Sequence, residues 1–182
     1  MIRAADLLEE RVPYRPSGAA AQLLRLHRHS LINLLVCGGT AEERRGVGLE
    51  FHRASPLRIG PFVSIDCRYD GPRVHASLES WLACASRSPQ DNPLRAAARG
   101  TLFLDSIEAL SSSTQRLLLL FANGSALPAR DESGVDWAGR LIVGSVEDLL
   151  VAVANGRFLA ALQDHLDKIR VDLGPSRQEG AA

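Results

Sequence analysis

Gly100-Thr101-Leu102-Phe103-Leu104-Asp105 sets four apolar or β-favouring residues in front of one carboxylate. Such a run suits a parallel strand buried on both faces, which carries its last residue to the carboxyl edge where these sheets bind ligands. Outward from it the pattern repeats. Residues 31–36 are nearly all apolar and predict a buried strand ending in Cys37-Gly38-Gly39, residues 61–67 alternate as a strand does, and residues 140–143 and 169–173 predict two more. Helical periodicity falls between them, over residues 19–29, 41–53, 76–85, 113–123, 146–155 and 158–167, with Ser17 as a cap for the first and Gly124 as a stop for the fourth. Residues 86–92 read as a polar loop. Strands alternating with helices predict an α/β fold, a parallel sheet flanked by helices on both faces.

Composition bounds the functional classes. At 182 residues and 46% hydrophobic content the chain can bury one good core. Lys and Arg total 21, Asp and Glu 21, for a net charge of zero, which argues against non-specific binding to nucleic acid or to an acidic membrane. Cys37, Cys67 and Cys84 are odd in number and lack CxxC spacing, as expected of reduced cysteines and not of a zinc site. The first residues lack an apolar signal core and no run is long enough to span a bilayer, so a cytoplasmic location is expected.

A strand, then glycines, then a helical run is where a phosphate-binding loop would sit. That junction holds Gly38, Gly39 and Thr40, and the start of the helical run, with Glu43, Arg44 and Arg45, follows it. Here the chemistry departs from what phosphates need. Glu42 and Glu43 bring carboxylates toward a polyanion, and the chain's one lysine, Lys168, is remote from the loop. Arg44 could contact a phosphate, although its fork does not reproduce a lysine point charge.

Seven fragments in order resemble the AAA+ domain of the sigma-54-dependent transcriptional activators. They are Leu34 to Gly38; Phe51 to Ser55, like "IHRxS"; Pro61 to Cys67, like "PFVxxNC"; Gly100 to Leu110, like "GTLFLDEIxxL"; Gln115 to Leu119, like "QxxLLR"; Ile142 to Leu149, like "IIAATNxDL"; and Gly156 to Phe158 with Leu162. The resemblance implies a P-loop NTPase-like AAA+ core over residues 19–175, between an N-terminal extension (1–18) and a disordered tail (176–182). It also implies functional positions, several of them altered. With His52 on the family's histidine, the phosphate loop falls on Gly38 to Arg45, with Glu43 at a loop glycine and Arg44 at the loop lysine, and Ser106 stands at the acid that orients water. Ser145 and Val146 stand at the sensor threonine and asparagine, and Leu159 and His165 at the two arginines given to a neighbouring subunit. Asp105 keeps its place and would meet a metal only if Mg-nucleotide binds. The interval between Cys67 and Gly100 is short and lacks the loop that grips sigma-54, and the chain stops before the helical lid. The expectation is therefore a non-enzyme without cofactor that acts through protein contacts, with another AAA+ activator or with itself. Direct DNA and membrane binding are not expected. The alternative is a switch that binds ATP or ADP without hydrolysis.

Smaller constellations carry structural expectations. Arg25, His27, Arg28 and His29 suit the negative end of a helix dipole. His52 would be a surface histidine or a contact under the first helix, and Cys37 a buried strand-end thiol. Trp81 and Trp137 fall outside the helical stripes and would be interface anchors if exposed.

Overall fold

The computed structural model describes residues 18–83, 92–123 and 137–174. Ser17, Cys84, Gly124, residues 86–91 of the loop, and the expected N-terminal extension and tail lie outside the described residues, apart from Gly18. Five parallel strands form one sheet in the order β2-β3-β4-β1-β5: β1 Leu34–Cys37, β2 Phe62–Asp66, β3 Thr101–Asp105, β4 Arg140–Ser145 and β5 Ile169–Asp172. Among the described residues seven helices connect and cover them: α1 Gly18–His27, α2 Ala41–Arg53, α3 Cys67–Leu82, α4 Pro93–Ala96, α5 Ser112–Ala122, α6 Leu149–Ala154 and α7 Ala160–Leu166.

The apolar runs do not alternate with polar residues because the sheet is buried on both sides. Successive side chains along a strand point to opposite faces. Leu34, Val36, Phe103 and Ile142 therefore join Val47 and Phe51 of α2 and Ala20 of α1 in one core. Leu35, Leu102, Leu104, Leu141 and Val143 join Leu78, Leu118, Leu162 and Ala152 in the other.

Three expectations need correction. The first strand begins at Leu34, so Leu31 and Ile32, expected in a buried strand, are exposed. The helix expected from residue 76 begins at Cys67, because the Asp66 side chain accepts from the Arg68 N–H and starts it. Gly71-Pro72 does not end this helix: the break in it lies at Asp70 (φ −108°, ψ 16°), after which proline sits in a restarted first turn. The exposure that would make an anchor of Trp81 is not found: it is buried, Trp137 is half-buried, and edge contacts link both rings to each other and to Phe121.

Among the described residues, two basic side chains are buried outside the loop region. His52 pairs with the Thr101 hydroxyl at 2.9 Å under α2, not at the surface, and burial pushes its pKa down. Arg140 is fully buried, lies over the Phe51 ring and donates through Nε to the Ile32 carbonyl at 3.2 Å. Its two terminal nitrogens have no hydrogen-bond partner, and burial lowers its pKa to about 10.

Candidate functional site

The site lies at the carboxyl edge, where the loop between β1 and α2 faces the end of β3. Gly38 and Gly39 take left-handed conformations (φ 77° and 60°). A Cβ on Gly39 would also meet the Glu43 carboxylate at 2.8 Å and Leu173 at 2.9 Å, so only glycine fits there. Thr40 then caps α2. Its hydroxyl accepts from the Glu43 N–H at 3.2 Å, and the Glu43 carboxylate accepts from the Thr40 N–H at 2.7 Å.

This capping box gives Glu43 a structural task. The Gly38 N–H donates to the Ser145 carbonyl and the Gly39 N–H to the Gly174 carbonyl, each at 2.9 Å. Three consecutive loop N–H groups, from Gly38 to Thr40, are thus satisfied within the chain.

Arg44 turns inward from the first turn of α2 and is almost fully buried. Its Nε donates to Asp105 Oδ1 at 2.6 Å and its Nη2 to Oδ2 at 2.9 Å, a two-pronged ion pair. Its Nη1 donates to the carbonyls of Gly38 at 3.0 Å and Gly39 at 2.9 Å. The loop therefore presents carbonyl oxygens to a cation, where a phosphate-binding loop presents N–H groups to an anion. Space for the pair depends on β4: a Cβ on Gly144 would run into Asp105 Oδ1 and crowd Arg44 Cδ at 3.3 Å. Asp105 does not serve as a simple cap for the following turn.

The remaining expected positions are distributed as follows. Arg45, expected in the loop, faces outward with its guanidinium over Phe62. Ser106 sits in the left-handed region (φ 53°, ψ 48°), fully buried, and its hydroxyl has no partner. Ser145 is buried and donates to Glu108 Oε2 at 2.9 Å, while the Val146 N–H donates to Glu108 Oε1 at 3.2 Å. Leu159 precedes α7, where its N–H donates to Gln115 Oε1, and His165 lies on that helix's last turn.

Sequence reasoning missed two residues here. Glu108, in the 3-10 turn Ile107–Ala109, ties β3 to β4. Gln115 is a buried clamp whose amide donates to the carbonyls of Leu110 and Arg157. A buried serine and a glutamine in an apolar helix both signal that a polar partner must exist.

Several carboxylates along this edge are held by arginines, and Arg170 serves both Asp148 and Asp172. Asp66, in register with Asp105, is held below the usual carboxylate range chiefly by its hydrogen bond to Arg68. Arg157 does the same for Glu147, and Arg170 for Asp148. Burial raises the Cys37 thiol to about 12, against the opposing pull of Arg170, which makes it inert at neutral pH.

The comparisons agree with this architecture. The acetoin catabolism regulatory protein of Cupriavidus necator is 33% identical over 171 residues, covering 88% of this chain and 26% of that protein. The anaerobic nitric oxide reductase transcription regulator NorR of Escherichia coli is 29% identical over 157 residues, covering 82% of the chain and 31% of its own length. The chain thus spans about a quarter to a third of these relatives. Among solved structures, NtrX from Brucella abortus in complex with ATP superposes with a TM-score of 0.68 at 20% identity, over 92% of this chain and 40% of that one. The P-loop NTPase domain of an E. coli sigma-54 activator gives 0.57 at 18% identity, over 84% and 89%. These two likenesses show the P-loop NTPase fold. Residues 17–172 match the sigma-54 interaction domain, and to that family this chain belongs.

Proposed function

We propose that this domain regulates transcription through protein contacts and without nucleotide turnover, as an adaptor or inhibitor of an active AAA+ relative. The observation that carries this reading is the Arg44–Asp105 pair beneath the loop. Bound Mg-nucleotide would need the space of the guanidinium, the Asp105 carboxylate and loop N–H groups that already have partners. Breaking a buried ion pair costs about 3–5 kcal/mol. That penalty would weaken nucleotide affinity by roughly two to three and a half orders of magnitude. The residues present do not fit the group. Ser106 adds no carboxylate to orient water, and neither Leu159 nor His165 offers a guanidinium to a neighbour's site.

Calorimetric titration with ATP and ADP, each with magnesium, tests the first half of the reading: no heat is expected, and micromolar binding overturns it. Adding the protein to an active sigma-54 activator tests the second half. A lowered ATPase rate in the activator is expected, and an unchanged rate together with no co-elution overturns the adaptor role.

A second reading is a switch that binds ATP or ADP without hydrolysis. It draws support from Gly38 and Gly39, whose left-handed backbone opens a tight turn between strand and helix, and from the retained Asp105. This reading requires Arg44 to leave Asp105 when nucleotide enters.

A further inference from the structure

Because the five strands run parallel, the segments entering them meet at the edge opposite the loop. Arg28, Leu31 and Ile32 precede β1, Arg58 and Ile59 precede β2, and Arg99 precedes β3. All six are exposed: Ile59 at 93%, and Leu31 and Ile32 at 45% and 47%. Backbone contacts weld these segments together. The Thr101 N–H donates to the Pro61 carbonyl at 2.8 Å, the Gly60 Cα abuts the Arg99 carbonyl so closely that no Cβ fits, and Arg140 donates to the Ile32 carbonyl.

Charge distinguishes this edge from the other. Around the loop, Asp66, Asp105, Glu147, Asp148 and Asp172 each meet an arginine. At the entry edge none of Arg28, Arg58 and Arg99 meets a carboxylate among the described residues, whereas nearby Arg53 is paired with Glu50. Among the described residues, this edge thus carries arginines without carboxylate partners together with exposed aliphatic side chains.

We propose that this entry edge is a docking surface for an acidic segment of a protein partner that also carries aliphatic residues. Cations alone would suit any polyanion. The aliphatics decide between classes, since burying Leu31, Ile32 and Ile59 gains free energy against an apolar partner surface and nothing against a phosphate backbone. The span from β2 to β1 is three strand spacings, about 15 Å, which matches a short segment better than a bilayer. The surface is remote from the loop, so the proposal does not depend on whether nucleotide binds.

Fluorescence anisotropy with the intact protein tests it. The probe is a labelled peptide of Glu-Leu-Leu-Glu repeats, compared with one carrying serine for leucine, with a DNA duplex of mixed sequence, and with phosphatidylserine vesicles. Saturable binding of the first probe is expected. It should weaken roughly tenfold or more in Arg58→Glu/Arg99→Glu and, separately, in Ile32→Ser/Ile59→Ser. Leu150→Ser, away from this edge, should leave it unchanged, and melting curves identify any variant that fails to fold. Absence of binding overturns the proposal, as does equal binding of the serine peptide. Tighter binding of DNA or vesicles overturns it in favour of those ligands.

Discussion

At the residue scale, Arg44 and Asp105 act as a unit, and their energetics should show it. Removing one partner leaves a buried charge uncompensated, so Arg44→Ala should destabilise the domain by about 3–5 kcal/mol. Replacing both with apolar residues, as in Arg44→Met/Asp105→Leu, should recover most of that loss. A double-mutant cycle by urea denaturation measures the coupling. Ser106 is a second local test. A non-glycine residue in the left-handed region costs about 1–2 kcal/mol, and its buried hydroxyl lacks a partner. Ser106→Gly should therefore stabilise by about 1 kcal/mol after the entropy of the unfolded chain is subtracted, while Ser106→Ala should gain less. Urea midpoints at constant slope decide between them. Asp105 was recognisable in sequence as a carboxylate at a strand end. Its partner was not, because residues 44 and 105 are 61 positions apart and only the parallel sheet brings them together.

At the element scale, α2 shows how one helix serves both ends of the sheet. Its first turn holds the Thr40–Glu43 capping box and Arg44; its last turn buries His52 against Thr101 of β3. Burial lowers the His52 pKa, so the folded state binds a proton less readily than the unfolded chain. The consequence has a definite sign. Stability from this residue is complete above the unfolded value near 6.5 and falls as pH drops below it, because the unfolded state then takes up more protons. Melting temperature should decline between pH 7.5 and pH 5, and His52→Gln should flatten that decline. The aspartates and glutamate held low by arginines titrate below this window. The extent of α2 was legible from its periodicity and caps, whereas α3 was placed too late. Gly71-Pro72 is a breaker in local terms, and it is tolerated because packing of Val74, Leu78 and Trp81 restarts the helix beyond it.

At the scale of the whole molecule, the described residues give the sheet two unlike edges, one where five carboxylates meet arginines and one where Arg28, Arg58 and Arg99 meet none. A domain whose loop is filled by its own arginine should have a melting temperature indifferent to millimolar Mg-ATP, since a ligand stabilises only a state it binds. Thermal shift measures this directly, and Arg44→Lys/Glu43→Gly, which empties the loop and restores a point charge, should become responsive. The amino-acid sequence by itself determined the fold class, the alternation of strands with helices and the family, because buried parallel strands and glycine turns write their demands into consecutive residues. The tertiary structure alone decided what the altered residues do. Whether Arg44 reaches for a phosphate or for Asp105, whether Glu43 repels a ligand or caps a helix, and whether scattered arginines become one surface all depend on contacts between residues far apart in the chain, which no local pattern encodes.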